Sequence, residues 1–87
     1  MRFSVVCKAK AISQLADIWT DAGDQAAVSR AANEIETQLR TAPENFGESR
    51  SGRDRIAIVP PLSVIFEVRP ADRVVAILTF KRVQRRE

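Results

Sequence analysis

The hydrophobic period of this chain changes along its length, and these changes restrict the fold more than any other feature of the sequence. The first stretch, RFSVVCK, is rich in β-forming side chains and predicts a strand from Arg2 to Lys8. From Ala11 to Ala42 the apolar residues recur every three or four positions, which is typical of amphipathic helices. After an arginine-rich loop, apolar and polar residues alternate, so the remainder is predicted to be β.

The helical segment divides into two helices of about 12 and 17 residues, joined so tightly that they must form an antiparallel hairpin. Gly23 is suited to end the first helix, Asp24 to cap the second, and Pro43 to stop it near Ala42. We expect the apolar stripes to pack on a sheet, with Trp19 in the core. The stripe residues are Ile12, Leu15, Ala16, Trp19 and Ala22, then Val28, Ala31, Ala32, Ile35 and Leu39.

Three further strands are predicted from DRIAIV, LSVIFEVR and RVVAILTFKRV, with turns at Pro60–Pro61 and at residues 70–72. The element order is therefore β-α-α-β-β-β. This order predicts an α+β fold, in which an antiparallel β-meander plus an N-terminal strand carries the helical hairpin on one face. Residues 1–87 are expected to form a single domain.

The predicted sheet has more apolar residues than one helical hairpin can cover. One face should alternate to polar residues, but Ile65 does not, and residues 74–78 are apolar on both faces. Scattered surface aliphatics are one explanation. The alternative, which we prefer, is that another protein chain covers this face and contacts Ile65, Val75 and Ile77.

The composition excludes several kinds of site. The chain has one cysteine, Cys7, and no histidine, which excludes zinc sites of the Cys/His type and any Ser-His or Cys-His nucleophile. No cofactor or metal is expected.

The apolar runs are too short for a membrane span, and lysines interrupt the N-terminus too early for a signal peptide. A cytoplasmic location is therefore expected.

The net charge of +3 is unevenly distributed along the chain. Residues 11–49 carry seven acidic residues against two arginines, whereas residues 50–87 carry nine basic residues against four acidic ones. The stretch GESRSGRDR holds Arg50, Arg53 and Arg55, and planar guanidinium groups suit phosphate or carboxylate. We predict a basic rim completed by Lys81 or Arg82, provided that the last strand ends near this loop.

The element order, the tight helical hairpin and three sequence segments resemble the RelE/ParE superfamily of bacterial type II toxins. The segments are the GESR…RI loop, the VIF strand and the terminal RVVAILTFKR strand. The resemblance implies a small basic toxin that a cognate antitoxin holds inactive by wrapping it with an extended segment. RelE-like members cleave messenger RNA on the ribosome, whereas ParE-like members poison DNA gyrase.

The residues of the RNA-cleaving branch match this chain poorly. Where that branch has a YRVIY-like strand this chain has LSVIF, so Ser63 and Phe66 stand in its arginine and tyrosine positions. The chain has neither tyrosine nor histidine, and arginines stay protonated, so Glu48 and Lys81 are the weak candidates for proton transfer.

The sequence is therefore consistent with three functions. The first is a ParE-like toxin that binds gyrase, with contacts from the basic rim formed by Arg50, Arg53, Arg55 and Arg82. The second is a ribosome-dependent endoribonuclease that uses Glu48 or Lys81. The third is a non-toxic basic binding module that shares only the fold.

Overall fold

A computed structural model of the protein describes residues 2–83. Its elements are β1 (Ser4–Cys7), α1 (Ala9–Asp21), α2 (Gln25–Thr41), a 3-10 turn (Pro43–Asn45), β2 (Glu48–Ser51), β3 (Asp54–Val59), β4 (Leu62–Arg69) and β5 (Val74–Arg82). The strands form one sheet in the order β1-β5-β4-β3-β2, in which β1 is parallel to β5 and the other neighbours are antiparallel. Neither helix in residues 2–83 is long and apolar enough to cross a membrane.

The predicted α+β fold is confirmed, with one strand more than the sequence suggested. The arginine-rich stretch was expected to be a loop, but it contains the short edge strand β2. Gly52 has a φ of +56° and lies in the turn that brings β2 back along β3. The pairing shifts register between Ser49 and Ser51, which leaves Arg50 at a bulge. The arginines are therefore carried by a hairpin.

The second helix has the boundaries and the buried stripe that its sequence predicts. The Asp24 carboxylate accepts a hydrogen bond of 3.0 Å from the backbone N–H of Ala27, which caps the first turn. The helix ends at Thr41, before the buried Pro43. Its buried residues are Val28, Ala31, Ile35 and Leu39.

The first helix is rotated relative to the prediction, and the expectation that Trp19 is core is wrong. Trp19 is 44% exposed and Ile12 is 56% exposed. The inward side is formed instead by Ala11, which is fully buried, and by Leu15 and Ile18, which pack against the core. Small Ala11 lets the helix approach the sheet closely, and this stripe has the same helical spacing as the one containing Trp19.

Helix α1 and the residue before it also provide hydrogen-bond partners for the backbone of β5 beyond the end of β1. β1 ends at Cys7, opposite Ile77, and the next backbone N–H, that of Lys8, still donates to the Ile77 carbonyl at 3.0 Å. Further along β5, the backbone N–H of Phe80 donates to the Gln14 side-chain oxygen at 3.0 Å. A side chain of α1 thus replaces the missing strand partner.

The helices bury one face of the sheet, and two of the predicted partner-binding residues belong to that face. On β4 the buried residues alternate as predicted: Leu62, Val64, Phe66 and Val68. Val75 lies opposite Val68 and Ile77 opposite Phe66, and directly opposed residues share a face. Both are buried in the core under the helices, so the prediction that Val75 and Ile77 contact a partner is wrong.

We expect Trp19→Ala to lower the free energy of unfolding by only about 1 kcal/mol, because nearly half of the side chain is already in water. Replacement of the fully buried Leu39 by alanine should cost about 2–5 kcal/mol and serves as the control. Urea denaturation followed by circular dichroism measures both values. An equal loss for the two variants would mean that Trp19 belongs to the core after all.

Candidate functional site

Three arginines meet in a cleft at one end of the sheet. The β2–β3 turn and the β4–β5 turn lie at this end because β3 and β4 are antiparallel neighbours. Between the turns is an open cavity of about 460 Å³, which we call the arginine cleft. Its polar lining residues are Glu44, Ser49, Arg53, Arg55, Arg69 and Asp72.

Arg55 is held in this cleft by the chain segment before β2. Its Nε donates to the carbonyl oxygen of Phe46 at 3.1 Å, and its Nη2 donates to that of Gly47 at 3.0 Å. Gly47 has a φ of +71°, and a Cβ there would collide with the Ile56 carbonyl of β3. The Phe46 ring stacks on Phe66, with centroids 5.9 Å apart. Arg55 therefore connects this segment to the sheet and also lines the cleft.

The other two arginines of the cleft differ in their charge partners. Arg69 donates to the Glu67 carboxylate at 3.3–3.4 Å, so its charge is partly balanced. Arg53 is exposed in the β2–β3 turn. Among residues 2–83, no carboxylate lies within ion-pair distance of Arg53 or Arg55. The cleft therefore holds two guanidinium groups whose charges have no close counter-ion in the described part of the chain.

The predicted single basic rim does not form. Arg82 lies opposite Leu62 and Lys81 opposite Ser63, whereas Asp54 lies opposite Glu67 at the other end of β4. The five-residue separation along β4 corresponds to roughly 17 Å. Arg82 instead lines a separate cavity with Asp24 and Pro61, and Arg50 is exposed at the β2 bulge and does not line the cleft. Of the four rim arginines, only Arg53 and Arg55 meet.

The sheet face opposite the helices, which we call the open face, carries isoleucines and carboxylates. One row across the strands runs from Thr79 through Ile65 and Ile56 to Glu48. The row toward the arginine end contains Glu67 and Asp54, and the row toward the other end contains Lys81, Ser63 and Ile58. Ile58 is 61% exposed, and Ile65 lies on this face as predicted.

The two candidates for proton transfer are far apart on the open face. Glu48 lies on the edge strand β2 and Lys81 on β5, three strand positions away, so their backbones are separated by about 15 Å. The side chains in the row between them are Ile56 and Ile65. Glu48 and Lys81 are therefore too far apart to act as an acid–base pair on one phosphate group.

A second apolar surface lies on the helical side. A groove of about 390 Å³ is lined by residues of α1, α2 and β1, including Ile12, Trp19, Ala32 and Cys7. The indole N–H of Trp19 donates to the Ser29 hydroxyl at 3.2 Å across the groove. Partial burial raises the pKa of the Cys7 thiol, so this cysteine remains protonated at neutral pH and is a poor nucleophile.

Comparison with solved structures relates this architecture to toxin structures. The structure superimposes with a TM-score of 0.78 on a chain of a RelBE toxin–antitoxin complex from Mycobacterium tuberculosis, at 12% identity, covering 94% of this chain and 92% of the other. An archaeal RelE–RelB complex from Pyrococcus horikoshii gives 0.70 at 20% identity, covering 99% and 100%. The chromosomal ParDE system of P. aeruginosa gives 0.66 at 22% identity, covering 94% and 97%.

The chain has the RelE/ParE fold. The similarity extends over nearly the whole chain in each pair, and it includes both the RelE and the ParE kinds of structure. No protein-family model matches this sequence, and no curated protein sequence matches it either. At such low identities the likeness concerns the backbone alone, so it assigns no role to the arginine cleft or to the open face.

We expect Arg55→Ala to lower the free energy of unfolding by about 1–3 kcal/mol, because the carbonyl groups of Phe46 and Gly47 lose a charged donor. Arg55→Lys should lose part of this, since an ammonium group cannot reproduce the two-point geometry of the guanidinium. Arg53→Ala, at an exposed turn position of the same hairpin, is the control and should leave stability unchanged. If Arg55→Ala unfolds in urea like the parent, the two hydrogen bonds do not hold the segment.

Proposed function

We propose that this protein is the toxin of a type II toxin–antitoxin pair and that it acts by binding its target, as a ParE-like inhibitor of gyrase, and not by cleaving RNA. The RelE/ParE fold supports the first part. The solved structures that share it include RelBE and ParDE toxin–antitoxin systems and the isolated RelE toxin of E. coli.

The chemistry of the open face supports binding over cleavage. A site that cleaves RNA needs an acid, a base and cations around the phosphate. Here the exposed Ile58 and the partly buried Ile65 share the face with three carboxylates, those of Glu48, Asp54 and Glu67, whose negative charges repel a phosphate backbone. The cations of the same face are not clustered, because Lys81 lies in the row of Ile58 whereas Arg69 is paired with Glu67 at the arginine end. This combination of isoleucines and carboxylates is the observation that carries the proposal.

An antitoxin is the partner that we assign to the open face. Ile58 is the most exposed of the large apolar residues in the described part of the chain, and Ile65 lies on the neighbouring strand. Together they offer a continuous apolar contact, and the carboxylates beside them favour a segment that carries basic residues. The arginines outside this face then remain for the target.

Expression of the chain without a partner is the experiment that tests the proposed function. We expect growth arrest with gyrase-dependent DNA damage and intact messenger RNA, because binding requires no proton transfer. Cells that express an Arg53→Gln variant show how much the positive charge of Arg53 contributes to the growth arrest. Growth arrest with cleaved messenger RNA would contradict the binding mechanism, and unaffected growth would contradict the toxin assignment.

We expect Ile58→Lys to weaken antitoxin binding by about tenfold or more, because it places an ammonium group in an apolar contact. The fold should persist, since the side chain is mostly in water already. Thr37→Lys adds the same group on the exposed side of α2 and is the matched control. Titration of the cognate antitoxin against each purified variant measures the effect. Equal affinities for the two variants would place the antitoxin elsewhere.

A further inference from the structure

We propose that the arginine cleft binds a single phosphate group carried on a ribose, as in a free nucleoside monophosphate or at the phosphorylated end of a nucleic-acid strand. This binding site goes beyond the proposed function and does not depend on it. Ligand binding is measured on the purified chain, without any toxic effect. The two ligand sources share the same chemistry at the cleft.

The first argument is the number of uncommitted donors. A guanidinium group has five N–H donors, and Arg55 uses Nε and Nη2 for the carbonyl groups of Phe46 and Gly47. These two bonds fix its orientation but leave its charge without a counter-ion. Arg53, which lines the same cleft, also has no carboxylate within ion-pair distance among residues 2–83. Two such groups match the oxygen atoms of one phosphate.

The second argument concerns what surrounds the arginines. Glu44 and Asp72 line the same cleft, and their charges disfavour a long polyanion while their oxygens accept hydrogen bonds from hydroxyl groups. A ribose supplies such hydroxyl groups next to its phosphate. Val68 and Pro70 add apolar surface for the remainder of the ligand. The cavity, about 460 Å³, is within the usual range for small-molecule sites.

The proposal is tested by isothermal titration of the full chain with adenosine 5′-monophosphate, inorganic phosphate and adenosine. We expect the monophosphate to bind at least about tenfold more tightly than adenosine, because charged hydrogen bonds to phosphate are lost in the nucleoside. Inorganic phosphate should bind more weakly than the monophosphate, since it lacks the ribose. Equal affinities for adenosine and its monophosphate, or no binding of the monophosphate, would overturn the proposal.

A short oligonucleotide with and without a 5′-phosphate distinguishes the two sources. Tighter binding of the phosphorylated strand than of the monophosphate would identify a strand end as the ligand. The opposite order would identify a free nucleotide. Both orders support the site, whereas equal binding of the two oligonucleotides would overturn it for strands.

Three variants that each remove one arginine separate a built site from general positive charge. Arg53→Gln should weaken monophosphate binding by about tenfold or more. Arg50→Gln, on the same hairpin but outside the cleft, and Arg82→Gln, at the other end of the sheet, should change it by less than about threefold. Equal losses in all three variants would mean that net charge alone attracts the ligand, and the proposal would be wrong.

Discussion

Two helices can cover only one face of a five-stranded sheet, and this limit decides where the protein has surface free for binding. The helical layer buries Phe66 of β4 and Val75 of β5, together with their neighbours, and leaves the opposite face open to solvent. At the sheet end where the β2–β3 and β4–β5 turns lie, the arginine cleft is an open cavity. Both candidate surfaces are consequences of incomplete coverage.

The last strand shows how far hydrophobic alternation can be followed from sequence. Five consecutive apolar residues, 74–78, suggested that both faces of β5 need cover. The structure inserts a register shift, in which Ile77 pairs with Phe66 and Thr79 with Ile65, so Leu78 is an extra residue. Phe80 then returns to the buried face. Alternation predicted the strand and its pairing, but not the bulge, because the bulge depends on packing against β4 and α1.

The composition of the cleft could have been predicted in part. Arg53 and Arg55 were identified from their sequence alone, and a meander places the turn after β4 beside the turn before β3. This topology would have added Arg69 and excluded Lys81 and Arg82, which end the strand antiparallel to β4. The hydrogen bonds of Arg55 to the segment before β2 could not be predicted, because they depend on the path that Gly47 allows. The rotation of α1 also could not, since two apolar stripes have equal helical spacing.

The arginine cleft and the open face differ in charge and adjoin each other at Arg69. Arg55 is directly opposite the buried Phe66 and therefore lies on the helical side, whereas Glu67 belongs to the open face together with Arg69, two residues further along β4. A partner confined to the open face would meet isoleucines, carboxylates and Arg69, but would leave the Arg55 guanidinium uncovered on the helical side. The cleft would then bind its ligand in the presence of that partner. Inhibition by competition for the cleft instead requires a partner segment that passes around the end of the sheet, at the turns that join β2 to β3 and β4 to β5.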